Sequence, residues 1–115
     1  MRAIRGAITV ESDTRPAIEE ATRELLTELA RRNGLHTDEV VSVFFSVTRD
    51  LTAEFPARAA RGMGWDVPML DMMEMDVPGA LPRCLRVLIH VERDGQVRHA
   101  YLRGALELRP DLESE

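Results

Sequence analysis

Lysine is missing altogether: all fifteen basic side chains of this 115-residue sequence are arginine. That absence excludes Schiff-base chemistry, pyridoxal phosphate attachment and the lysine of a phosphate-binding P-loop. Cysteine occurs once, at Cys84, so neither an internal disulfide nor a cysteine-rich zinc site can form. No apolar run approaches the ~18 residues that a membrane-spanning helix needs. Met1-Arg2-Ala3-Ile4-Arg5-Gly6 also lacks the apolar stretch of a signal peptide. These features predict a soluble cytoplasmic protein with no membrane partner. Positive charge is in deficit as well: fifteen Arg against twenty acidic residues leave a net charge of −5. That is the wrong sign for a general nucleic-acid binder, so an anionic partner has to be met by a local cluster of Arg. No GxGxxG, GxxxxGK, HExxH or GxSxG pattern occurs.

What remains is ordinary globular material, 44% apolar and 30% charged, of a length that suits one domain over residues 1–115. Ala3–Val10, with Ile4, Ile8, Thr9 and Val10, reads as a strand. Thr14 then offers a cap and Pro16 sits in the first turn of a helix over about residues 15–33. Ile18, Ala21, Leu25, Leu26 and Leu29 share one face of it, and Asn33-Gly34 ends it. The run from Val40 to Thr48 is too apolar and β-branched for a solvated strand and belongs inside a sheet. A short helical piece, Ala57–Arg61, follows Phe55-Pro56. Val67–Met73 and Cys84–Glu92 read as further strands. Asp94-Gly95 suits a two-residue hairpin turn, which predicts a return strand over about 97–102, with His90 opposite His99 and Leu88 opposite Tyr101. The pattern is an α+β domain: a mixed sheet with one main helix on one face. A single helix leaves the other face bare, which predicts an oligomer.

Several side chains are candidates for chemistry. The predicted register puts Arg86 diagonal to Tyr101 on one sheet face, flanked by Cys84 and Leu88. A structural ion pair from Arg86 to Glu74 or Asp76 is the plain alternative. Arg5, in an apolar strand beside Gly6, is equally ambiguous, and Arg61 ends the short helical piece. Met69, Met72, Met73 and Met75 surround Leu70, Asp71 and Glu74, as core filling or as a ligand-adapting surface. His90, His99 and Cys84 fall short of the three or four converging ligands of a zinc site. No metal is expected. From these residues alone the chain is an oligomeric α+β domain with an Arg-lined site for a small anion.

Particular strings go further. Ile4-Arg5-Gly6-Ala7 with Thr9-Val10-Glu11, Asp50-Leu51-Thr52-Ala53, and Phe55-Pro56-Ala57-Arg58-Ala59 come first. Glu74-Met75-Asp76-Val77, Cys84-Leu85-Arg86-Val87, Arg98-His99-Ala100-Tyr101-Leu102 and Leu108-Arg109-Pro110-Asp111-Leu112 follow in order. Through nearly its whole length the chain resembles the monofunctional chorismate mutases of the AroH class, trimers of the pseudo-α/β-barrel type. The resemblance implies rearrangement of chorismate to prephenate, in phenylalanine and tyrosine biosynthesis, without cofactor or metal, at sites shared between the subunits of a homotrimer. It implies that Arg86 is the cation beside the breaking ether oxygen and Glu74 the carboxylate that holds the substrate hydroxyl. Arg5 would meet a substrate carboxylate, and Tyr101 would be the active-site tyrosine. The neighbouring subunit would supply Phe55 to Arg61, with Arg58 where Lys is common and Arg61 near the pocket mouth. Leu108 and the tail after it would help to close the site. Met72 and Met73 belong to the same pocket wall, where Asp71 replaces a Cys and Leu70 a Thr. These two replacements favour the alternative, a non-catalytic trimer that binds an anionic metabolite.

Overall fold

A computed structural model of the chain describes residues 1–110. Five strands form one sheet: β1 (Arg2–Thr9), β2 (Val40–Val47), β3 (Met69–Met73), β4 (Cys84–Val91) and β5 (Ala100–Leu102), in the order β3-β2-β4-β1-β5. Two helices, α1 (Arg15–Asn33) and α2 (Pro56–Gly62), cover one face. The apolar run at 40–48 is an interior strand, as its composition requires, paired with β3 on one side and β4 on the other.

The helix α1 begins and ends where its signals place it. Thr14 Oγ1 accepts from the Ala17 N–H at 3.3 Å. Gly34 takes the left-handed conformation, φ 54°, that lets its N–H turn back to the carbonyls of Ala30 and Arg31. Its buried stripe of Ile18, Ala21, Leu25, Leu26 and Leu29 packs on Ile4, Ile8, Val43, Phe45, Leu85, Val87 and Ile89. Gly6 makes the close approach possible: a Cβ there would lie 2.8 Å from Leu29 Cδ1 and 3.2 Å from the Ala100 carbonyl oxygen.

The expected hairpin does not form. β1 inserts between β4 and β5, antiparallel to the first and parallel to the second, so His90 stands opposite Ala3 and Ser42 rather than His99. The expected return strand shrinks to three residues, Ala100–Leu102. The reason is local chemistry at Arg93: its guanidinium donates to the Asn33 carbonyl at 2.6 Å and pairs with Glu39. That draws the segment across the C-terminal end of α1 instead of into a tight turn. Asn33 fastens the same crossing from the helix side, donating to the Arg98 carbonyl at 2.9 Å and accepting the Arg98 N–H at 2.8 Å.

Among the described residues, the second face of the sheet is covered at one corner only. There the 3₁₀ segment Arg103–Leu108 lays Ala105, Leu106 and Leu108 over Ala7, Cys84 and Tyr101. No helix among the described residues is long and apolar enough to cross a membrane.

Candidate active site on the bare sheet face

Side chains alternate across a sheet, so residues in register on neighbouring strands form rows. One row crosses all five strands on the bare face: Met72, Ser46, Arg86, Ala7 and Tyr101. The row beside it holds Leu70, Phe44, Leu88 and Arg5. Arg86 and Tyr101 do share a face, but β1 lies between them, two strand spacings or about 9.6 Å apart. The residue that separates them, Ala7, is fully buried beneath the 3₁₀ segment. Alongside it lies a depression of about 310 Å³ in which Arg5, Arg86, Tyr101, Met72 and Ser46 meet over an apolar floor. That is the lower end of the range for small-molecule sites.

Glu74 follows β3 and is fixed by its own backbone, whose N–H donates to the Val47 carbonyl at 2.7 Å. Its Oε2 lies 2.8 Å from Arg86 Nε, and the two side chains are 24% and 41% exposed. The structural ion pair weighed for Arg86 therefore exists, and its cation lines the candidate site. Asp76, the other carboxylate considered, pairs with Arg49 instead. His99 sits at the cavity's edge, where Nδ1 accepts the Arg5 N–H at 2.9 Å. Burial pushes the Cys84 thiol upward, which makes it a poor nucleophile.

The remaining candidates gather elsewhere. Phe55, Arg58, Asp71 and Met73 line a second cleft of about 460 Å³ beyond the β3 edge, and Met72 borders both clefts. The Arg58 guanidinium stacks over the Phe55 ring at 5.3 Å and pairs with Glu54. Arg61 is exposed in the last turn of α2, and Leu70 is exposed on the bare face. Leu108 packs against the Tyr101 corner, and the tail after Pro110 lies outside the described residues. Two further residues were given no role by the sequence. Arg109 places its guanidinium 5.9 Å from the centre of the Tyr101 ring. Ser46, a polar residue inside an apolar strand, is legible only in retrospect.

Asp71 turns away from Arg86, toward the helices, and its Oδ1 accepts the Ala57 N–H at 3.0 Å. Burial raises its pKa above the ordinary 3.8, against the pull of that N–H and of Arg61, and Glu54 adds to the rise. The folded state thus binds the proton more tightly than the unfolded state, and the ionised carboxylate costs stability at neutral pH. Asp71→Asn keeps an acceptor for Ala57 without the charge. It should melt higher than the parent at pH 7. The difference should narrow as pH falls through the raised value and vanish below about 3.8, where Asp71 is neutral in both states. Melting curves of both proteins across pH 3 to 8 check this.

The sequence matches the family model described as chorismate mutase type I over residues 1–112. The chain belongs to this family. A chorismate mutase AroH from Thermus thermophilus is 54% identical, covering 99% of this chain and 98% of the relative. One from Bacillus subtilis (strain 168) is 45% identical, covering 97% and 92%. A solved chorismate mutase from Clostridium thermocellum superposes with a TM-score of 0.89 at 48% identity, over 91% of this chain and 97% of the other. A type I chorismate mutase is an isomerase.

Proposed function

We propose that this chorismate mutase converts chorismate to prephenate in the depression around Arg86, and that a neighbouring copy completes each site. The observation that carries the proposal is the Arg86–Glu74 pair, whose Arg86 stands in the row that also holds Tyr101, with Arg5 in the adjoining row. The reaction is a unimolecular [3,3] rearrangement, so it needs no nucleophile, proton transfer, metal or cofactor. What lowers its barrier is confinement of a flexible dianion in its compact conformer, together with fixed charge where the ether oxygen becomes negative. Arg86 supplies that charge, Arg5 holds a carboxylate, and Glu74 accepts from the substrate hydroxyl.

Within one chain the two clefts stay separate, one with Arg5, Arg86 and Tyr101, the other with Phe55 and Arg58. A homotrimer that presents the Phe55–Arg61 segment of one copy to the depression of the next joins them. It also covers the exposed Leu70 and Met72. A cytoplasmic location and action as a single domain belong to the same proposal. The purified protein should remove chorismate absorbance and sediment at three times the chain mass. Chains carrying Arg86→Ala and chains carrying Arg58→Ala should each be nearly inactive, yet regain activity when unfolded and refolded together. No activity above the sum of the two would place each site within one chain. Binding of chorismate without its consumption would make the protein a binder rather than an enzyme.

A further inference from the structure

Strand β2 reads Val40-Val41-Ser42-Val43-Phe44-Phe45-Ser46-Val47, an apolar run interrupted by two serines. Serine is a poor strand former and gains little from burial unless its hydroxyl has a partner. Ser42 faces His90, with Oγ 3.3 Å from Nδ1. Ser46 has a more consequential neighbour: its hydroxyl donates to Glu74 Oε2 at 3.2 Å. The same carboxylate oxygen lies 2.8 Å from Arg86 Nε. Ser46 is also the direct cross-strand partner of Arg86 and of Met72, so its position between the two is set by backbone register.

We propose that Ser46 is a positioning residue for the rearrangement: by holding Glu74 Oε2 beside Arg86, it turns Oε1 toward the substrate hydroxyl and fixes the guanidinium in place. A carboxylate at the end of three rotatable side-chain bonds, anchored by one cation alone, can swing and carry Arg86 with it. A second anchor on the same oxygen removes that freedom. Preorganised charge is effective because it does not have to reorient as the bond breaks. This inference rests on the proposed roles of Glu74 and Arg86.

The test is a double-mutant cycle read in steady-state kinetics. Ser46→Ala should fold as the parent does and lose about tenfold in kcat/KM, the scale of one hydrogen bond to a charged group. Most of that loss should appear in kcat. Ser46→Thr, which restores a hydroxyl at the same position, should recover most of it. In a Glu74→Gln background, adding Ser46→Ala should change kcat/KM by less than about twofold, because coupled residues are not additive. A Ser46→Ala enzyme with parent-like kcat overturns the proposal. So does a tenfold loss that persists undiminished in Glu74→Gln, since Ser46 would then act on the substrate or on the fold. Absence of chorismate turnover in the parent itself is a separate result, and it removes the functional reading beneath both.

Discussion

Arg86→Ala should lower kcat by a factor of one hundred to one thousand while leaving KM within a few-fold. Losing one preorganised donor at a developing oxyanion costs about 2.7–4 kcal/mol, and here the donor carries a full charge. The loss falls on kcat because the interaction strengthens only as the ether bond lengthens. The surroundings add to the effect. Removing Arg86 leaves Glu74 without the cation 2.8 Å from its Oε2, an uncompensated carboxylate facing an anionic substrate. Glu74→Gln combined with Arg86→Ala should therefore lose less than the two single changes added together. A kcat within a few-fold of the parent in Arg86→Ala would mean that another group bears the developing charge.

The largest loss of stability is expected for Phe45→Ala. Phe45 is 1% exposed and is among the largest fully buried side chains. It stands in register with Val87 on β4 and Asp71 on β3. Truncating a buried Phe typically costs about 3–5 kcal/mol through lost burial and the cavity left behind. That is a large share of the ~5–15 kcal/mol that holds an ordinary domain together. The denaturation midpoint should fall accordingly with the slope unchanged. Activity at low temperature should suffer as well, because β3 leads directly into Glu74. A midpoint shift equivalent to less than about 1 kcal/mol would show that neighbouring side chains refill the space.

Much of this fold was legible in the sequence where the deciding forces are local. The cap at Thr14, the apolar stripe of α1 and the stop at Gly34 are written within a few residues of the places they act. The interior position of β2 follows from composition alone. The pairing of β4 was not legible, because Asp94-Gly95 is a local hairpin signal and the competing partner, β1, lies about eighty positions earlier. Nothing near Arg93 announces that its guanidinium will be claimed by the end of α1 and by Glu39. Arg86 and Tyr101 were placed on one face by a register that does not occur. They share the face because both stand opposite Ala7. Glu74 was recognisable as one of the two carboxylates that could pair with Arg86. Ser46 was not recognisable, because its significance depends on a residue twenty-eight positions away.

The insertion of β1 between β4 and β5 also fixes an order of events. β5 pairs with β1 alone, as a parallel edge strand of three residues. Forming it closes a loop of nearly the whole chain, so its gain comes late and its loss comes early. Amide hydrogens of residues 100–102 should thus exchange with solvent through partial openings, well before those of β2 and β4. Each such opening withdraws Tyr101 while Arg86, Glu74 and Ser46 keep their places. Cooperative unfolding of the core is not needed to dismantle this pocket; its least protected wall is the last one built.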